Sequence, residues 1–255
     1  MTEVRAKKFL GQHFLTDENI ARRIVDSLSP ESHNVLEIGP GMGVLTKYLI
    51  NRENTDFHVV EIDRESVAYL HDHYPTLDVI EGDFLKFDLS TLFHDSFAII
   101  GNFPYNISSQ ILFKVFDSRD RVSEVVGMFQ KEVAERVTAS PGSKTYGILS
   151  VLLSTFYNME YLFTVHENVF NPPPKVKSAV IRLVRNNVTT LDCDEKLFVQ
   201  VVKAGFNQRR KTLRNALRQV GKPLDNIPEE LLSKRAEQLS TEQFILITKA
   251  LESCQ

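Results

Sequence analysis

The chain has 255 residues, 42% of them hydrophobic, with 30 Lys and Arg against 33 Asp and Glu for a net charge of −3. That is enough apolar material for one large domain, or one domain with a small appendage. The opening MTEVRAKKFLGQHF has no apolar centre of the kind an export signal needs, and YGILSVLLSTFYNM is too short and polar to span a bilayer, so nothing points to export or a membrane and a cytoplasmic protein is expected. Cys193 and Cys254 match no metal-ligand or redox spacing, so reduced thiols and no metal site are expected.

In chain order, TDENIARRIVDSL predicts a first helix, with Thr16 or Asp17 as cap and Ile20, Ile24, Val25 and Leu28 on one face. From Asn34 to about Phe129, short β-branched runs (NVLEI, FHVVEI, LDVIEG, FAIIGN, VSEVVGMF) alternate with helix-period segments (GVLTKYLINR, RESVAYLHDHY, SQILFKVF, QKEVAERV). This alternation predicts an α/β fold with a mostly parallel, Rossmann-like sheet covered on both faces. YGILSVLLSTFY reads as helix or strand, MEYLFTVH and KSAVIRLV as strands, and everything after about Asn187 as helix. The expected division is 1–187 for the α/β domain and 188–255 for a small all-helical C-terminal domain.

Charge is segregated along this chain. Lys203 to Lys222 (KAGFNQRRKTLRNALRQVGK) holds seven Lys and Arg with no acid, and Asn171 to Asn187 (NPPPKVKSAVIRLVRNN) holds four with none. With Arg5, Lys7 and Lys8, these runs predict a basic face for a polyanion, in which Lys175, Lys177, Arg209, Arg210, Lys211, Arg214 and Arg218 are the candidate contacts. Arg210, Arg214 and Arg218 recur at four-residue spacing and would share one helix face.

After the first strand, VLEIGPGMGVLT puts Gly39, Gly41 and Gly43 at a sharp strand-to-helix turn, and Glu61 ends the second strand about twenty residues on, where a carboxylate accepts from ribose hydroxyls. NAD, FAD and S-adenosylmethionine share these features. The E-x-G-x-G-x-G loop, with Glu37 ahead of it and without G-x-G-x-x-G spacing, favours S-adenosylmethionine, which has no pyrophosphate. Asp83 in EGDFL is either an adenine-amine acceptor or a turn aspartate.

GNFPYNIS follows the fourth strand, at the edge where open α/β sheets bind ligands. An exocyclic adenine amine is a poor nucleophile, and the Asn102 side-chain carbonyl with the Phe103 backbone carbonyl can accept its two N–H bonds and free the lone pair. Pro104 holds the Phe103 carbonyl and Tyr105 offers a stacking ring, which leaves the Phe103 side chain a secondary matter. The bland alternative is a rigid turn before a helix capped by Asn106. No His, Cys or Lys stands near this loop in sequence, which suits methyl displacement by positioning alone. The target base must be looped or flipped out, and Phe170, ahead of three prolines, is either a second aromatic wall or a core residue.

Through KKFLGQHFL, EIGPGMGVLT, VVEID, EGDFL, GNFPYNIS, QKEVAERV, SKTYGILSV, VFNPPPKVKSAVIRL and FNQRRKTLRNAL, essentially the whole chain resembles the KsgA-type (KsgA/RsmA) ribosomal RNA adenine dimethyltransferases. The resemblance implies a class I S-adenosylmethionine-dependent methyltransferase that dimethylates N6 of two adjacent adenines in the 3′-terminal hairpin loop of 16S rRNA, on an assembling small subunit, as a monomer, leaving S-adenosylhomocysteine. It implies cofactor contacts at His13, Leu15, Gly39, Gly41, Glu61, Asp83 and Asn102, with Asn102, Pro104, Tyr105 and Phe170 around the target base. His13 replaces the family's common Asn, and Phe103 its common Leu. The alternatives are an assembly checkpoint factor with incidental methylation, a large-subunit rRNA adenine methyltransferase, a DNA adenine methyltransferase and an NAD-type oxidoreductase.

Overall fold

The computed structural model describes residues 4–253. In chain order the regular elements are β1 (Phe14–Leu15), α1 (Glu18–Val25), β2 (Asn34–Ile38), α2 (Thr46–Leu49), β3 (Asp56–Glu61), α3 (Arg64–His73), β4 (Asp78–Glu81), β5 (Phe97–Asn102), α4 (Ser108–Asp117), β6 (Val122–Gln130), α5 (Lys131–Val137), α6 (Ile148–Phe156), β7 (Tyr157–Val165), β8 (Phe170–Asn171), β9 (Ser178–Arg185), α7 (Glu195–Asn207), α8 (Leu213–Leu217), α9 (Glu229–Leu232) and α10 (Thr241–Glu252). Seven strands form one sheet in the order β4-β3-β2-β5-β6-β9-β7; its first five are parallel neighbours and β9 runs antiparallel to β6. This is the expected mostly parallel α/β sheet.

The sheet's order turns between β2 and β5, so the loops after these two strands open the crevice in which such sheets bind ligands. The central strands are apolar throughout because both faces are covered: Phe97, Ala98, Ile99 and Ile100 are fully buried, as are Val35 and Leu36. Burial of Ile24, Leu45, Leu49, Ile100, Val126 and Val180 in one cluster fastens α1 and α2 to the sheet. Asp17 caps α1 by accepting from the Asn19 and Ile20 amides.

The chain resolves into two compact units, one of residues 1–134 and 159–185, the other of residues 135–158 and 186–255. Residues 135–158, expected within the first domain, thus group with the helical C-terminal segment. YGILSVLLSTFY forms the helix α6, whose apolar residues are almost wholly buried, and α6 packs on α7 and α10 of the same unit.

Within the second unit, the expected continuous basic helix is broken. α7 ends at Asn207, Arg209, Arg210 and Lys211 lie in a turn, α8 starts at Leu213, and Arg218 opens a 3-10 turn. Arg210, Arg214 and Arg218 therefore do not share a helix face. Phe206 packs between the rings of Tyr146 and Phe244, at 5.9 Å from each, as part of the unit's interior. Cys193 is a free thiol whose pKa burial pushes up to about 11, and Cys254 lies outside the described residues. Among the described residues no helix is long and apolar enough to cross a membrane.

Candidate active site

A cavity of about 270 Å³ opens at the carboxyl edge of the sheet, lined by Gly39 and Gly41 after β2, Glu61 and Ile62 at the end of β3, Asp83 and Phe84 after β4, and Asn102 to Tyr105 at and beyond the end of β5. Leu10 to Phe14 form its remaining wall. A second cavity of about 220 Å³ shares Phe14, Gly39, Gly41 and Asn102 with the first and adds Leu15, Glu37, Lys47, Tyr69 and Tyr74. The expected cofactor residues are thus brought together, with Leu15 in the second cavity.

The glycine loop is held by the carboxylate that ends β3. Glu61 is buried, and its two oxygens accept from the Gly41 amide at 3.1 Å and the Asp63 amide at 2.8 Å. Burial raises its pKa, opposed by these same hydrogen bonds. Gly41 has φ +57°, and a Cβ there would approach the Phe14 ring to 2.9 Å, so only glycine lets the loop lie against the N-terminal wall. Glu37 is fully buried and accepts from Thr46 Oγ1 at 2.7 Å; desolvation pushes its carboxyl up to about 8, which leaves it protonated at neutral pH.

Asp63 is a hub that sequence reasoning missed. Its carboxylate ion-pairs with Lys7, accepts from Gln12 Nε2 at 3.1 Å and from Ser66 Oγ at 3.2 Å, and so ties the N-terminal segment to the end of β3. Burial works to raise this carboxyl, but the hydrogen bonds from Lys7 and Gln12 hold it below the usual value. Lys7, expected on the basic face, is engaged here instead, while Arg5 and Lys8 are exposed.

Contacts from distant parts of the chain bear on the end of β5 and the loop after it. Asn102 Nδ2 donates to the His13 carbonyl at 2.8 Å, so its Oδ1 is left as the acceptor. The His13 ring stacks on Tyr105, with centroids 5.3 Å apart, while His13 Nδ1 is 2.8 Å from the Pro172 carbonyl. A histidine thus lies against a loop that has none nearby in sequence. Pro104 has φ −58° and ψ 130°, and its carbonyl accepts from the Ile107 amide at 3.2 Å and from Ser108 Oγ at 3.1 Å. Asn106 does not cap α4; its amide donates to the Phe9 carbonyl at 3.4 Å. The Tyr105 hydroxyl hydrogen-bonds Ser178 Oγ.

The Phe103 side chain is more engaged than expected, and Phe170 has the surroundings of a core residue, the second of its two readings. The Phe103 ring is buried over Gly101 and Gly127, which face each other across β5 and β6, and it meets Phe129 edge-on at 4.9 Å. A Cβ at Gly127 would come within 2.2 Å of this ring, and one at Gly101 within 2.7 Å. The side chain is a peg that sets the loop, not a bystander. Phe170 is 4% exposed and belongs to the core beside Leu15, because β8 pairs with β1. It does not face the cavity that Tyr105 lines.

The remaining cations divide in the same way. Lys175 and Lys177 are exposed on the loop before β9. In the helical unit Arg209 pairs with Glu237 at 3.5 Å and donates to the Ser143 and Lys144 carbonyls, and Arg214 pairs with Glu229. Arg210, Lys211 and Arg218 are exposed. Among the described residues no three His, Cys, Asp or Glu side chains gather as a metal site.

The family described as "Ribosomal RNA adenine dimethylase" matches residues 3–253. The chain is 60% identical over 255 residues to "Ribosomal RNA small subunit methyltransferase A" of Cytophaga hutchinsonii, covering 98% of this chain and 99% of that one. It is 57% identical to the protein of the same name from Bacteroides thetaiotaomicron, covering 99% and 96%. Among solved structures, a dimethyladenosine transferase from Plasmodium falciparum superposes with a TM-score of 0.78 at 26% identity, covering 94% of this chain and 98% of that one. The 23S rRNA methyltransferase ErmE gives 0.74 at 25%, covering 94% and 99%.

Proposed function

Because the chain belongs to the ribosomal RNA adenine dimethylase family of S-adenosylmethionine-dependent enzymes, we propose that it dimethylates N6 of two adjacent adenines in the 3′-terminal hairpin loop of 16S rRNA, on an assembling small subunit in the cytoplasm. The observation that carries this proposal is the Asn102 amide at the cavity, whose nitrogen is held by the His13 carbonyl so that its oxygen is left as an acceptor.

The cavity's residues fit the cofactor. Gly41 lets the loop line the cavity against the Phe14 ring, where a Cβ would clash, the buried Glu61 carboxylate keeps lone pairs for two ribose hydroxyls, and Ile62 and Phe84 offer apolar surface to a purine beside Asp83. When bound, S-adenosylmethionine supplies an electrophilic methyl on a positively charged sulfur and leaves as S-adenosylhomocysteine.

The protein's own work is to prepare the amine. Asn102 Oδ1 and the Phe103 carbonyl accept the two N–H bonds, which draws the nitrogen towards pyramidal geometry and localises its lone pair. The Phe103 ring, pinned over Gly101 and Gly127, and Pro104 hold that carbonyl still. Tyr105 supports the base by stacking. The methylated nitrogen then carries the positive charge and gives a proton to solvent, so no strong base is required. Phe170 contributes only if the β1 and β8 pair opens, since its ring is in the core.

Small-subunit rRNA is favoured over large-subunit rRNA as substrate by the 54–60% identity to relatives named for the small subunit, against 25% to ErmE. Lys175, Lys177, Arg210, Lys211 and Arg218, exposed and cationic, suit rRNA phosphates. Mass-spectrometric mapping of 16S rRNA with and without the gene tests the assignment: the adjacent 3′-terminal dimethyladenines disappear on deletion, and their persistence overturns it. An Asn102→Ala protein separates catalysis from a checkpoint role; restoration of normal subunit assembly by this variant would make methylation the lesser function.

A further inference from the structure

The turn that carries Asp83 is built by its own residues and closed by a distant one. Asp83 Oδ1 accepts from the Leu85 amide at 3.0 Å, and the Asp83 carbonyl accepts from the Lys86 and Phe87 amides at 3.0 Å each. This makes a single helical turn whose last carbonyls point away from it, with no helix to continue their hydrogen bonding. The ammonium of Lys114, on α4, donates to both the Leu85 carbonyl, at 3.1 Å, and the Phe87 carbonyl. Its Nζ is also 5.1 Å from the centroid of the buried Phe84 ring. Burial draws the Lys114 ammonium below its usual pKa, and Asp83 and Asp88 act against that, so the cation is held by the turn it closes.

α4 carries a second attachment at its start. Ser108 Oγ and the Ile107 amide both donate to the Pro104 carbonyl, so the first turn of the helix is fastened to the clamp loop. Six residues of helix, about 9 Å of rise, separate Ser108 from Lys114. One rigid element is thus bonded at one end to the loop that would hold the target amine and further along to the turn that would read the cofactor's adenine.

We propose that Lys114 is a positioning residue: it fixes the Gly82–Phe87 turn so that Asp83 recognises the adenine amine of the cofactor, and through α4 it sets that turn's distance from the Asn102–Tyr105 clamp. The proposal rests on Asp83 as the adenine acceptor. Lys114 touches neither cofactor nor target, and acts through two main-chain carbonyls.

The test compares the full-length wild type with Lys114→Met, Lys114→Arg and Asp83→Asn by calorimetric binding of S-adenosylhomocysteine and of S-inosylhomocysteine, in which an oxygen replaces the adenine amine. Wild type prefers the amine form and D83N loses that preference. K114M lowers the preference by roughly tenfold and raises KM for S-adenosylmethionine by a similar factor while kcat changes by less than about twofold, and K114R restores most of it. Wild-type discrimination in folded K114M, alongside its loss in D83N, overturns the role of Lys114. Undiminished discrimination in D83N shows instead that Asp83 does not read adenine, and the proposal falls with it. If circular dichroism shows K114M unfolded, Lys114→Gln carries the same comparison.

Discussion

The side-chain amide of Asn102 donates to the main-chain carbonyl of His13 at 2.8 Å, across 89 residues of chain. An amide can turn either face to a ligand, and this bond selects the one that presents oxygen. Removing it separates the two halves of the group's work. Asn102→Ala is expected to lower single-turnover methylation of immature small subunits by about 10²-fold or more, as for loss of a preorganised polar group at a reacting centre. Asn102→Asp keeps an acceptor but sets it against the His13 carbonyl, and is expected to lose activity too; wild-type rates in both variants would remove the clamp from the mechanism.

The Phe103 ring fills the space that a side chain at Gly127 would need, since a Cβ there would lie 2.2 Å from the ring. Gly127→Ala is expected to destabilise the protein by about 1–3 kcal/mol through overpacking. Phe103→Leu shortens the peg and should recover part of that loss, giving a coupling in a double-mutant cycle by urea denaturation. Additive effects would mean that the loop does not lean on its ring.

Glu37 gives the apo protein a pH signature. Its folded pKa, about 8, lies above the ordinary 4.5, so the folded state holds a proton that the unfolded chain releases. The stability contributed is complete below pH 4.5 and is lost as pH rises to about 8. Glu37→Gln keeps an acceptor for Thr46 and carries no titrating proton. Thermal melts between these limits should therefore fall less steeply with pH in E37Q than in the wild type, and parallel curves would contradict the buried neutral carboxyl.

Asp63 fastens the N-terminal wall through Lys7 and Gln12. Asp63→Asn is expected to free Lys7 and expose the first residues, so that trypsin cuts after Lys7 or Lys8 faster than in the wild type. S-adenosylhomocysteine binding should weaken in parallel because Leu10 to Phe14 line the cavity. Unchanged cleavage would show that the wall is held elsewhere.

Cations that are exposed and cations that are engaged should separate by assay. Reversal of Arg210 and Arg218 to Glu is expected to weaken subunit binding and lower its salt slope by about two, with cofactor affinity unchanged. Reversal of Arg214 breaks its pair with Glu229 and is expected to act on the helical unit itself. Filter binding over a salt series reads the first effect, and an unchanged slope argues against phosphate contact at these positions.

Much of this molecule was legible along the chain because the signals are local. Alternating apolar runs announce a parallel sheet, glycines after β2 announce a tight loop, and a carboxylate ending β3 announces a polar group at the same sheet edge; each depends on a few neighbouring residues and on strand geometry. FNQRRKTLRNAL misled for the same reason. Four-residue spacing describes one helix, but the helix ends at Asn207 and residues 208–212 form a turn before α8.

By itself the sequence determined the strand-to-loop positions of Gly39, Glu61, Asp83 and Asn102, since all follow strands of one parallel sheet and so must emerge at one edge. Tertiary structure alone decided which groups meet there. The His13 carbonyl orients Asn102, Lys114 closes the turn of Asp83, and β1 pairing with β8 draws Phe170 into the core. These contacts join residues far apart in the chain and depend on register and packing, for which no local pattern of residues carries a signal.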